Sequence, residues 1–80
     1  MKITIESTPK MVNLVNGASE TPARIWEGET AHGVKVICFV TRILVQEDQP
    51  PDVYKIFEED LKECAAASPA VEAIPLRLIL

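Results

Sequence analysis

Residues 34–45 constrain the fold most, because both alternating faces of this segment are largely apolar. Successive side chains of an extended strand point to opposite sides. One side carries Val34, Val36, Cys38, Val40 and Leu44, and the other carries Ile37, Phe39, Ile43 and Val45. A half-solvated antiparallel strand alternates apolar and polar residues instead. The segment therefore predicts a strand that is covered on both sides, by a helix of the same chain and by a second copy of the chain.

Size and charge limit the classes of protein and partner. The chain of 80 residues is 48% hydrophobic and 25% charged, which is typical of one globular domain over residues 1–80. Its net charge of −4 disfavours duplex nucleic acid as a partner, because phosphate binding requires concentrated positive charge. The N-terminus does not resemble an export signal, and no apolar run is long enough to span a bilayer. We therefore expect no membrane partner and a cytoplasmic location.

Two short segments near the N-terminus predict strands. Residues 2–7 alternate Ile3 and Ile5 with polar side chains, and Pro9 is expected to end this strand. Residues 11–15 are predominantly apolar and predict a second strand. The two strands are thus expected to be separate elements of the sheet.

A hairpin signal and two later segments complete the predicted sheet. Asn16 followed by Gly17 favours a tight turn, because both residues tolerate positive φ. We expect residues 18–21 to widen this turn into a longer loop. Residues 23–30 predict the third strand and residues 74–80 predict the fifth, with residues 34–45 as the fourth. Consecutive strands joined by short turns favour an antiparallel meander.

The hydrophobic period changes from two to 3.6 after the proline-containing residues 46–51. The resulting apolar stripe consists of Val53, Ile56, Phe57, Leu61 and Cys64. This pattern predicts an amphipathic helix, capped by Asp48 or Asp52 and extended through residues 65–67. Residues 69–72 are expected to add one short turn. The predicted fold class is α+β: an antiparallel four- to five-stranded bent β-sheet (meander) with one amphipathic α-helix.

No residue pattern indicates catalysis, a metal site or a cofactor site. His32 precedes a glycine in a predicted turn, where a solvated histidine is also common. Glu27, Glu29 and His32 match no metal-ligand spacing. Cys38 and Cys64 occupy apolar positions and predict buried thiols. The chain is therefore expected not to be an enzyme, with no catalytic residue, no metal and no cofactor.

Four residues form the candidate binding site for a ligand or partner: Arg24, Trp26, Lys35 and Arg42. A tryptophan beside guanidinium groups can stack a base while the cations hold a phosphate. The same residue types are also common in protein–protein hot spots. A core tryptophan with an arginine stem packed on it is the structural alternative.

Three segments resemble small uncharacterised accessory proteins of tailed bacteriophages and prophages. They are residues 3–7 (ITIES), 22–28 (PARIWEG) and 71–80 (VEAIPLRLIL). The resemblance implies a viral protein that acts in the host cytoplasm. Accessory proteins of this size often bind and inhibit host factors, including defence systems, and several sequester nucleotide messengers. No functional residue is carried over from the resemblance.

The expected function is a non-enzymatic binding protein of phage type that inhibits or sequesters a host component, either a host protein or a small nucleotide. One alternative is a homo-oligomeric sponge that binds a nucleotide messenger at a subunit boundary. A second alternative is a small structural or assembly factor of the virion. The residues expected to form the homo-oligomer interface are Ile37, Phe39, Ile43, Val45, Leu78 and Leu80.

Overall fold

A long antiparallel hairpin forms the centre of the fold. The computed structural model describes residues 1–80 and begins with β1 (Ile3–Asn16) and β2 (Ser19–Thr30). Asn16 pairs with Ser19 around a two-residue turn, in which Gly17 has a φ of 62°. The predicted hairpin is confirmed at this position. The wider loop predicted for residues 18–21 is wrong, because pairing resumes immediately after Ala18.

The first two predicted strands are one continuous strand with a bulge. Ser7 pairs with Trp26 and Met11 with Arg24, so residues 8–10 lie opposite Ile25 alone. The two extra residues preserve the alternation of side chains along β1. The predicted strand end at Pro9 is wrong because a bulge, like a turn, accommodates a residue without a backbone N–H.

The predicted fourth strand is confirmed in its first half only. β3 (Lys35–Val40) pairs antiparallel with β2, and the ladder ends where Val40 meets Arg24. The next residue of β2 that faces β3 is Pro22, which has no N–H to donate. Residues 41–46 therefore leave the sheet without regular structure.

The last strand makes the sheet mixed. β4 (Arg77–Ile79) pairs parallel with β1, and the strand order is β3-β2-β1-β4. The prediction of a wholly antiparallel sheet is thus wrong, although the first three strands form the expected meander. Both helices lie between β3 and β4 in sequence, and a connection of this length can return the chain in the parallel direction. The structure is a four-stranded sheet curled as a half-barrel, largely β.

Two short helices replace the single predicted one. The predicted amphipathic helix is confirmed as α1 (Val53–Asp60). It does not extend through residues 65–67, although the sequence predicts that it does. Its last turn is acidic and contains no basic residue, an arrangement that the helix dipole disfavours. Asp52 is at the N-cap position, but its side chain accepts no capping hydrogen bond. α2 (Pro69–Glu72) is capped by Ser68, whose hydroxyl accepts a hydrogen bond from the Val71 N–H.

The core lies on one face of the sheet, which we call the core face and define by Val12, Ala23, Ile25, Leu14 and Leu78. Val71 of α2 packs against it and, like Ile25, has no exposed surface. The opposite face, the open face, carries Met11, Arg24, Trp26, Cys38 and Val40. α1 contributes no buried residue. With eight and four residues, the two helices are too short to cross a bilayer.

Candidate functional site

A cavity of about 350 Å³ opens between the open face of the sheet and α1. The β2 side chains Arg24 and Trp26 contribute to its lining because they share one side of the strand. The segment that leaves β3 supplies Arg42, so Arg42 lines the same cavity as the two β2 residues. The complete lining is Met11, Pro22, Arg24, Trp26, Val40, Thr41, Arg42, Ile43, Phe57 and Leu61.

The bulge in β1 holds Arg24 at this cavity. The Arg24 Nη1 donates a hydrogen bond to the Thr8 carbonyl oxygen at 3.0 Å. The Thr8 hydroxyl is buried and donates to the Ile25 carbonyl oxygen at 2.7 Å. This bond replaces the ladder partner that Ile25 lacks opposite the bulge. The guanidinium is therefore oriented by the backbone, and its other N–H groups are free of hydrogen bonds within the chain.

Neither arginine of the cavity forms an ion pair. The ion pairs of the structure join Lys35 to Glu29, Lys62 to Glu59 and Arg77 to Glu20. Arg42 is exposed, and Arg24 is half-buried. Two guanidinium groups without carboxylate partners make this cavity a candidate site for an anion.

Apolar and aromatic side chains form the remaining walls. Trp26 is half-buried on the sheet, and Phe57 and Leu61 come from the side of α1. A neighbouring cavity of about 80 Å³ is lined by the same aromatic residues and also by Asp60. Asp60 forms no ion pair with Arg24, so the carboxylate does not neutralise the guanidinium directly. The site thus combines positive charge with surfaces on which a planar ring can stack.

Lys35 lies apart from the other three predicted site residues. It is at the start of β3 on the core-face side, whereas Arg24, Trp26 and Arg42 line the cavity on the open face. Its ammonium group forms an exposed ion pair with Glu29 at 3.1 Å. The structure therefore brings together three of the four predicted residues.

The sequence did not identify the cavity walls that come from α1 and the following turn. Phe57 and Leu61 belong to the apolar stripe of the predicted helix and were expected in the core. Only the structure shows that α1 has no buried residue, and this is what distinguishes Phe57 and Leu61 from core residues. Met11 and Thr41 were likewise not predicted as parts of a site.

The residues predicted as an oligomer interface divide into two groups. Ile37, Phe39, Ile43 and Leu80 are exposed, and Val45 is half-buried. Leu78 is also half-buried, and it packs against the core cluster of the same chain. Within the exposed group, Ile37 and Phe39 leave apolar surface exposed on the core-face side of β3.

The remaining candidates have structural roles or lie in solvent. Both Glu27 oxygens accept hydrogen bonds from Ser68, one from its N–H at 3.1 Å and one from its hydroxyl at 2.7 Å. His32 is exposed in the turn between β2 and β3. The prediction of two buried thiols is wrong: Cys64 is exposed and Cys38 is half-buried, and both are free. No group of three or more His, Cys, Asp or Glu side chains is arranged to hold a metal ion.

Comparison with known proteins leaves the site to be interpreted from its own chemistry. No protein-family model matches the chain, and no curated protein or solved structure is significantly similar to it. Arginines and an aromatic ring around a cavity of this size are suited to a small ligand that is both anionic and planar.

Proposed function

We propose that this protein is a non-enzymatic binding protein that sequesters a small nucleotide-like anion in the cavity formed by Arg24, Trp26 and Arg42. The observation that carries the proposal is that both guanidinium groups line one cavity with an indole ring and have no carboxylate partner. A phosphate would accept charge-assisted hydrogen bonds from the arginines. A base would stack on the aromatic wall.

The volume of the cavity favours a mononucleotide. Ligand sites range from about 300 to 1,000 Å³, and this cavity has about 350 Å³. The lining includes no histidine, carboxylate or thiol, the side chains that most often act as a general base or nucleophile. Both features support binding and retention of the ligand. As the natural ligand we propose a nucleotide messenger of a bacterial host, which is one of the ligand classes that the resemblance to phage accessory proteins implies.

Calorimetric titration and thermal unfolding with a panel of cyclic and linear mononucleotides test this proposal. Nucleosides and inorganic phosphate each supply only one part of a nucleotide, and we expect them to bind more weakly than a complete nucleotide. At a ligand concentration one hundred times the Kd, binding stabilises the native state by about 2.7 kcal/mol. The absence of saturable binding by every nucleotide in the panel contradicts the proposal.

Arg42→Gln is the decisive variant, because Arg42 makes no hydrogen bond or ion pair within the chain. Loss of a charge-assisted hydrogen bond of about 1.5–3 kcal/mol raises the Kd about tenfold or more. Arg77→Gln is the matched control, since Arg77 is paired with Glu20 away from the cavity. Asp60→Asn should tighten binding by removing a negative charge beside Arg24. Equal affinity in Arg42→Gln and the native protein argues against this site.

Inhibition of a host protein is the second candidate function. Leu44 and Ile56 are exposed and line one cavity with Phe57, and they offer apolar and aromatic surface to a protein partner. Recovery of one stoichiometric host protein by the native chain, but not by Ile56→Asp, would support this alternative. A role in virion assembly is the third candidate, and no arrangement of residues favours it over the other two.

A further inference from the structure

The outer edge of β3 is open. β3 is the last strand of the sheet on its side, and its only neighbour is β2. The Thr30 N–H donates to the Val34 carbonyl oxygen, so Val34 faces β2. Because backbone groups alternate in direction along a strand, those of Lys35, Ile37 and Phe39 point away from the sheet. These N–H and C=O groups are available to another strand.

The usual devices that prevent edge pairing are missing from β3. The strand contains no proline, and its pairing with β2 has no register shift. Lys35 is its only charged residue, and this charge is already paired with Glu29. Ile37 and Phe39 are 38% and 40% exposed on the core-face side. The opposite edge differs, because β4 is only three residues long.

We infer that two copies of this chain pair through β3, antiparallel, around a two-fold axis perpendicular to the sheet. The resulting sheet is continuous across both copies. A second copy is the natural occupant because the edge is complementary to itself. This inference is independent of the proposed function, since it requires no ligand.

The two-fold axis limits the possible registers, because it places residues with the same facing direction opposite each other. A register centred on Ile37 sets Lys35 against the partner's Phe39. A register centred on Cys38 sets Ile37 against the partner's Phe39 and Val36 against the partner's Val40. The second register pairs apolar residues with apolar residues on both faces. Charge and hydrophobicity therefore favour the axis at Cys38.

The favoured register brings the two Cys38 residues face to face. They form a pair without mutual backbone hydrogen bonds, in which the Cα atoms are about 4.5 Å apart. Disulfides span Cα separations of about 4.4–6.8 Å. Oxidation of the two thiols to one disulfide, with two electrons and two protons transferred to an added oxidant such as diamide, is therefore a direct reporter of this register.

Light scattering and diamide crosslinking of the full chain test the inference. We expect the native protein to have twice the mass of the 8.8 kDa chain. Cys64→Ser should form a disulfide-linked dimer through Cys38, whereas Cys38→Ser should not. In a chain without native cysteines, Ile37→Cys should crosslink poorly, because Ile37 is not on the axis. Preferential crosslinking at residue 37 would overturn the register.

Ile37→Pro and Ile37→Lys test the edge itself. The Ile37 N–H points away from β2, so proline removes no hydrogen bond from the native ladder. Both variants should be monomers of 8.8 kDa that retain the native circular dichroism spectrum. The lysine variant keeps every backbone N–H. It therefore tests the edge even if the proline variant does not fold. A native protein that is monomeric, or a dimer that persists in both variants, overturns the inference.

Discussion

The two faces of the sheet differ in a way that helix length does not explain. The four-residue α2 closes the core face and buries Val71 completely. The eight-residue α1 lies beside the open face, buries no residue and leaves a cavity. α2 is attached to the sheet by Ser68 and Glu27, and the chain continues from it into β4. The shorter helix completes the core because its N-cap residue Ser68 is bonded to Glu27 of β2 and its Val71 belongs to the core cluster.

Ile25→Ala and Ile56→Ala compare the two faces directly and should show the largest difference. Ile25 is fully buried on the core face, and Ile56 on α1 is 53% exposed. Loss of the buried side chain should lower the free energy of unfolding by about 3–4 kcal/mol, and loss of the exposed one by less than about 1 kcal/mol. Chemical denaturation measures both. Equal losses would mean that α1 is packed as tightly as the core.

Gly28→Ala tests how closely the backbones of β1 and β2 approach each other within the sheet. A Cβ at Gly28 would lie 1.9 Å from the Thr4 carbonyl oxygen, so the β1 backbone would have to move. We expect a loss of about 3 kcal/mol in the free energy of unfolding. Gly17→Ala is the control: its Cβ meets no atom within 4 Å, and its positive φ costs about 1 kcal/mol. A Gly28 variant as stable as the Gly17 variant contradicts the close approach of the strands.

Thr8→Val tests the bulge that connects the core face with the candidate site. The substitution keeps the shape of the side chain but leaves the buried Ile25 carbonyl without its donor. The expected cost is about 1–3 kcal/mol of the free energy of unfolding. Thr4→Val, at an exposed position of the same strand, should change it by less than about 0.5 kcal/mol. Thermal unfolding compares the two, and a neutral Thr8→Val would show that the hydroxyl does not support the bulge.

Glu27→Gln should have the smallest effect and tests the attachment of α2. An amide oxygen can keep one of the two hydrogen bonds from Ser68, but the carboxylate accepts both. We expect a loss of about 1 kcal/mol in the free energy of unfolding. Glu29→Gln, which breaks only an exposed ion pair, should cost less than about 0.5 kcal/mol. If the two variants lose equal stability, the attachment at Ser68 does not distinguish α2 from α1.

Local patterns predicted those elements that depend on neighbouring residues. The hairpin turn after Asn16 follows from the positive φ of Gly17, and the start of α1 follows from the change of hydrophobic period. Three of the four candidate site residues meet at one cavity because Arg24 and Trp26 share a strand face and Arg42 follows the adjacent strand. The relation between Arg24 and Trp26 can be deduced from spacing alone, whereas Arg42 joins them through the pairing of β3 with β2.

The sequence alone determined the amphipathic segment of α1, the hairpin after Asn16 and the apolar strand that becomes β3, because each is encoded in the type and spacing of neighbouring residues. Only the tertiary structure decided that β4 joins β1 in parallel, that a bulge carries β1 past Pro9, and that Lys35 lies away from Arg24. These outcomes depend on partners distant in the chain. A missing N–H at Pro22, or a hydroxyl that satisfies the Ile25 carbonyl, has its effect only when another strand lies beside it.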